Sequence, residues 1–260
     1  MTNLLLEQYA RYKKPALNSS PYSCLLNTNI ELNPHQINAF CAAIQALRTG
    51  GIILADEVGL GKTIEAGLVL KYVIDSGAKR ILIALPATLR KQWEVELIEK
   101  FSIHATILDR MLVEKDYYAT KRMLEDTDKV QVIITSYDYS SKLMKRFPQI
   151  KWDFVIIDEA HHIAATSWNK FKNYMRNKRI VQFTATPFRN DNKKIDGKII
   201  YNYPLSLAQK EGYFTKINFL PVIEYDLKKS DLVVAEKAIN VLQNDLEKGL
   251  NHVVLVRAGT

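Results

Sequence analysis

Six short apolar runs rich in β-branched residues punctuate the chain: "GIILA" from Gly51, "RILIALP" from Arg80, "HATILD" from His104, "VQVIITS" from Val130, "FVIID" from Phe154 and "IVQFTATP" from Ile180. Stretches with helical spacing separate most of them, and this alternation builds a parallel sheet covered on both faces. The expected fold class is therefore α/β. At 260 residues there is room for one large domain of this kind, or one domain and part of a second.

One helix shows the local grammar. In "LNPHQINAFCAAIQALRTGG", Asn33 suits the N-cap and Pro34 the first helical position. Ile37, Phe40, Cys41, Ile44 and Leu47 share a face, Gly50 supplies the stop, and the chain then enters the first strand.

That strand runs into "LADEVGLGKTIEAG", residues 54 to 67, which ends in the Gly61-Lys62-Thr63 of a phosphate-binding loop. Gly59 and Gly61 let backbone N–H groups approach phosphates, and a helix starting near Lys62 aims its positive end at them. Lys62 suits the β- and γ-phosphates, and the Thr63 hydroxyl suits Mg²⁺. The loop's first position is Asp56, where the general pattern has glycine. A glycine-rich β-to-α turn without a ligand is the alternative reading of this loop alone.

"WDFVIIDEAHH" places Asp158 and Glu159 just past a strand, 96 positions after Lys62. In a parallel sheet the strand ends and the phosphate loop open onto one edge, so the two motifs can meet. An acidic pair there suits a Mg²⁺ ligand and a neighbouring base; alternatively it caps a helix.

Bulk properties narrow the class. No apolar run approaches the roughly 18 residues of a membrane span, and the N-terminus has no signal peptide's apolar core, so a cytoplasmic location is expected. Cys24 and Cys41 lack metal-ligand spacing, and the five histidines, including the adjacent His161 and His162, form no zinc pattern. No structural zinc is expected. The net charge of +8 arises between Lys142 and Lys198, where thirteen Lys/Arg face five Asp/Glu. Such a region suits a polyanion partner or a solvated basic surface.

Together "LNPHQ", "LADEVGLGKT", "LPATLRKQWEVEL", "IITSY", "DEAHH" and "FTATPFRND" resemble the ordered motifs of superfamily 2 helicases and translocases. "ADEVGLGKTIEAG", with Asp56, is most similar to the bacterial Swi-Snf-type ATPases. The resemblance covers the chain from about residue 31 onward. It implies a RecA-like P-loop domain of three layers at residues 31–205, after an N-terminal extension at 1–30. A linker at 206–228 and the beginning of a second RecA-like lobe at 229–260 would follow, comprising the helix from Ser230 and the strand "HVVLVRAG".

The same resemblance implies residue roles. ATP and Mg²⁺ are the expected cofactors, with Gln36 reading the adenine edge. Asp56, Gly59, Leu60, Gly61, Lys62 and Thr63 form the nucleotide loop. Lys62, Asp158 and Glu159 are the catalytic set, Glu159 as the base for the attacking water, with Thr63 as a Mg²⁺ ligand and Asp158 as a partner of the ion, either directly or through a bound water. His161, Thr184 and Thr186 couple the nucleotide to the nucleic-acid groove. Pro86, Thr88, Arg90, Thr135 and Ser136 lie along a nucleic-acid backbone, with strand termination as the plain alternative for Thr135 and Ser136. Trp93 suits a helix core better than a base-stacking platform.

Ala185 stands where Swi-Snf-type enzymes usually carry glycine, and "TATPFRND" is closer to the helicase subunits of restriction enzymes. Duplex DNA is the implied partner, together with a second lobe in cis or in trans. An arginine finger from that lobe is worth about 10³–10⁵ in rate, or roughly 4–7 kcal/mol of barrier, so a chain holding only the first lobe is expected to bind nucleotide and turn it over slowly. Three functions stay distinct: an ATP-dependent DNA helicase or translocase, an RNA helicase of the same superfamily, and an ATP- or DNA-binding module without motor activity.

Overall fold

The computed structural model describes residues 28, 30–47, 51–56, 59–159, 179–185, 197–213 and 230–249. The chain divides into two compact units, Met1–Phe214 and Thr215–Thr260. Within the first, seven described strands form one parallel sheet: β1 (Ile52–Asp56), β2 (Arg80–Leu85), β3 (Ala105–Ile107), β4 (Gln131–Ser136), β5 (Phe154–Ile157), β6 (Arg179–Phe183) and β7 (Lys198–Tyr203). Their order across the sheet is β3-β4-β2-β5-β6-β1-β7.

Alternate residues of each strand feed two cores. Ile52, Leu54, Ile81, Ile83, Ile134, Ile156 and Phe183 pack beneath α1 (Pro34–Ala46), α2 (Lys62–Asp75) and α3 (Arg90–Phe101). Ile53, Leu82, Ile133, Val155 and Ile157 point the other way, where the core also holds Val113 of α4 (Arg110–Lys115), Leu124 of α5 (Tyr117–Glu125), and Leu143 and Met144 of α6 (Tyr137–Arg146). A strand buried on both faces has no polar side to show, which explains the unbroken apolar runs. Each such Ile or Leu contributes about 1.5–3 kcal/mol by leaving water. The expected α/β sandwich of three layers is the observed architecture.

Local chemistry sets the element ends. The carboxylates of Asp109 and Asp116 accept from the N–H groups of Leu112 and Ala119, starting α4 and α5. Gly67 lets α3 close on α2, because a Cβ there would lie 2.2 Å from the Phe101 ring.

Two sequence expectations are corrected. The six-run reading has no strand after β6, yet Lys198–Tyr203 pairs with β1 as a seventh strand at the sheet edge. Its burial is partial, so it carries no continuous apolar signal. The buried stripe of α1 is His35, Gln36, Ala39, Phe40 and Ala43, with Ile37, Cys41 and Ile44 only half-buried. Two polar residues turn inward there, where the Nε2 atom of each meets the Leu60 carbonyl of the neighbouring loop.

After β7 comes the short helix α7 (Leu205–Lys210), whose buried Ala208 packs with Leu60 and Tyr203. In the second unit, α8 (Ser230–Glu247) is the expected amphipathic helix. Residues 1–27, Gly50, the strand "HVVLVRAG" and parts of the basic segment lie outside the described residues. No described helix is long and apolar enough to cross a membrane.

Candidate nucleotide-binding site

The loop after β1 and the acids after β5 emerge at the carboxyl edge of the sheet, separated only by β6. Gly59 and Gly61 have φ of 85° and 92°, backbone that a side chain would strain. A Cβ on Gly61 would also sit 2.4 Å from Nε2 of Gln36. This bare turn delivers the chain into α2 at Lys62, so the first free N–H groups of the helix face the loop.

Lys62 and Glu159 form an ion pair of 2.8 Å, with both side chains largely out of solvent. Glu159 has φ 50°, an unusual left-handed residue at a strand end, and such backbone costs about 1–3 kcal/mol. Its N–H donates to Oδ1 of Asp158 at 3.0 Å. The Trp93 indole N–H, reaching across from α3, donates to Oδ2 at 3.2 Å. Burial, and then the Glu159 charge, raise the Asp158 carboxyl to about 6, against the opposing pull of Lys62, the Glu159 N–H and the Trp93 indole.

On the other side of the loop, His35 and Gln36 anchor it to α1. His35 Nε2 and Gln36 Nε2 each lie 3.0 Å from the Leu60 carbonyl oxygen, which accepts from the amide. Gln36 Oε1 accepts from the Asn33 N–H at 3.0 Å. The His35 ring stacks on Tyr203 with centroids 4.7 Å apart and meets Tyr213 edge-on.

Beneath the loop lies a pair that sequence reading missed. Asp56 and Glu65 are both fully buried, and among the described residues none of their four carboxyl oxygens has a donor in good hydrogen-bonding geometry. Burial is the main cause that raises both acids; the Asp56 charge pushes Glu65 further, while the Glu65 carboxyl, the Tyr203 N–H, His35 and Lys62 pull Asp56 down and Lys62 pulls Glu65 down. Adjoining buried carboxyls satisfy each other by holding a proton between them. Asp56, at the position where the general loop pattern has glycine, is thus wholly enclosed.

Tyr137 was also missed. Burial and the charges of Asp158 and Glu159 raise its phenol, and its hydroxyl has no hydrogen-bond partner among the described residues. Its signal was "ITSYD", a polar-tipped aromatic directly after a strand. For Glu65 the signal was a charge three residues after Lys62 on an otherwise apolar helix face.

The remaining expected residues divide by exposure. Thr184, buried at the end of β6, lies between the loop and the acids; its N–H donates to the Leu54 carbonyl. Thr88 is exposed beside half-buried Pro86 and Arg90. Arg90 donates to the Ala87 carbonyl at 3.1 Å and stands 3.6 Å from Asp109. Thr135 is fully buried and presents no hydroxyl at the surface, whereas the Ser136 hydroxyl accepts from the Tyr139 N–H as the N-cap of α6. His161 and Thr186 lie outside the described residues.

The donor set suits a nucleotide with Mg²⁺: a glycine turn with no room for a side chain, a lysine, and the hard oxygens of Thr63 and Asp158.

Comparison with known proteins agrees with this geometry. The profile of the SNF2-related domain matches residues 35–243. RNA polymerase-associated protein RapA of Vibrio campbellii is 31% identical over 231 residues, which cover 82% of this chain and 23% of that protein. RapA of Vibrio vulnificus strain CMCP6 is 33% identical over 249 residues, covering 89% and 25%. The chain thus spans about a quarter of the length of these relatives. Among solved structures, the Sulfolobus solfataricus SWI2/SNF2 ATPase core in complex with dsDNA superposes with a TM-score of 0.50 at 25% identity, covering 65% of this chain and 34% of that one.

Proposed function

The chain belongs to the SNF2-related domain family, and from that membership we propose that it is the ATP-binding portion of an ATP-dependent motor on duplex DNA. The observation that carries this reading is the 2.8 Å pairing of Lys62 with Glu159 across the bare glycine turn. It joins the phosphate-binding cation to the hydrolytic base at one sheet edge.

Phosphate entering the loop competes with Glu159 for Lys62. As Lys62 turns to the phosphate oxygens, the Glu159 carboxylate is released to accept a proton from the attacking water. Thr63 and Asp158 are the residues that would hold Mg²⁺. When bound, the ion neutralises negative charge on the phosphate oxygens. Gln36 keeps one amide N–H and one oxygen lone pair beyond those committed to Leu60 and Asn33. That is the complement of an adenine's N6 and N7 edge, and it favours ATP.

Pro86, Thr88 and Arg90 would contact the DNA backbone without reading sequence. A solved SWI2/SNF2 relative in complex with dsDNA supports duplex DNA over RNA. The stretch at 229–260 would begin a second lobe, and such a lobe, in cis or in trans, would supply the arginine finger.

Titration with a fluorescent ATP analogue tests the site. Wild type should bind ATP more tightly than GTP, Gln36→Ala should lose that preference, and Lys62→Ala should bind at least tenfold more weakly. Undiminished binding by Lys62→Ala would refute the site. Affinity for DNA should fall steeply with salt and vary little with base sequence.

A further inference from the structure

Trp93 sits on α3, 2% exposed, three residues after Arg90. An apolar side chain would fill the same core volume. An indole adds one donor, and here that donor meets Oδ2 of Asp158, 65 positions away in the chain. The Glu159 N–H holds Oδ1 of the same carboxylate. With both oxygens engaged, the carboxylate plane cannot rotate, and one lone-pair direction on each oxygen is left for another partner.

The donor's own position is set by a short, continuous segment. β2 ends at Leu85, the turn Ala87–Leu89 follows, and α3 begins at Arg90. Pro86, Thr88 and Arg90, the candidate DNA-backbone contacts, therefore lie three to seven residues before the residue that holds Asp158.

We propose that Trp93 is a positioning residue for the Mg²⁺ site: its indole N–H fixes the Asp158 carboxylate so that metal binding depends on the placement of α3. The inference rests on the Mg-ATP reading above and adds a residue to it. Groups that hold a metal ligand from behind commonly change metal affinity by about 10–100-fold when removed.

Two variants isolate the donor. Trp93→Phe keeps an aromatic core residue, and incorporation of benzothienylalanine at position 93 keeps the bicyclic shape while replacing the N–H with sulfur. For each, the affinity of a fluorescent ATP analogue is measured without metal and across a Mg²⁺ titration, alongside thermal melting. The expected result is an unchanged metal-free affinity and a Mg²⁺ half-saturation raised about tenfold, equally in both variants. In spectra of the wild-type chain, the Trp93 indole N–H resonance should also move on Asp158→Asn substitution.

Unchanged Mg²⁺ half-saturation in the benzothienyl protein would overturn the proposal. So would parallel loss of metal-free and metal-dependent binding with a lowered melting temperature, the mark of a packing role alone. If the wild type itself shows no Mg²⁺-dependent nucleotide binding, the Mg-ATP reading fails and the positioning role falls with it.

Discussion

Lys62 and Glu159 are 97 positions apart and meet at 2.8 Å, so the cation that would hold phosphate is already bonded to the base that would activate water. Each half of the site restrains the other until phosphate arrives. Opposite charges in a half-buried setting are worth more than at an open surface, because water screens them less.

Removing that restraint separates binding from turnover. Glu159→Gln should bind nucleotide about three- to tenfold more tightly, ~0.7–1.4 kcal/mol, since Lys62 no longer has to leave a carboxylate. Hydrolysis by the same variant in its full-length context should fall about 10²–10⁴-fold with the base removed. Equilibrium titration and steady-state turnover check the two effects independently.

The Asp56–Glu65 pair makes stability depend on pH. Both folded pKa values lie above the ordinary ones, 3.8 and 4.5, with burial as the chief cause. The pair therefore costs nothing below about pH 4, and its ionisation increasingly destabilises the fold as pH rises toward the folded values. Glu65→Gln replaces the shared proton with a permanent amide donor. Its melting temperature should exceed wild type by about 2–4 °C near pH 8, the effect of ~1 kcal/mol in a domain of this size, and the gap should close near pH 4. Melting curves across that range provide the check.

Gly67 tests the packing of α2 on α3. An added methyl would overlap the Phe101 ring at 2.2–2.6 Å. Gly67→Ala should cost about 1–3 kcal/mol by overpacking, and adding Phe101→Leu should recover part of the loss. Chemical denaturation of the two single variants and the double variant measures the coupling.

Legibility in the sequence followed the range of the physics. The glycine turn, Lys62 and the acids at 158 and 159 could be read because each depends on a few adjacent residues and on the geometry of a strand end. Most of the strands could be read because burial on both faces leaves few polar positions. Trp93 illustrates the limit: its placement in a helix core was legible, but its bond to Asp158 depends on where the tertiary fold places α3. Thr135 looked suitable for a phosphate contact by residue type, yet its place in β4 encloses its side chain. β7 escaped because exposed Lys198 and Asn202 interrupt its half-buried run.

Local pattern was enough to establish the alternation of strands and helices, the phosphate loop and the chemical types at the site. The three-dimensional fold assigned the partners: Glu159 to Lys62, Trp93 to Asp158, Glu65 to Asp56, and Leu60 to Gln36. The physical reason is that hydrogen bonds and ion pairs act over about 3 Å, while strand order and helix placement bring together groups that the chain separates by up to 97 positions.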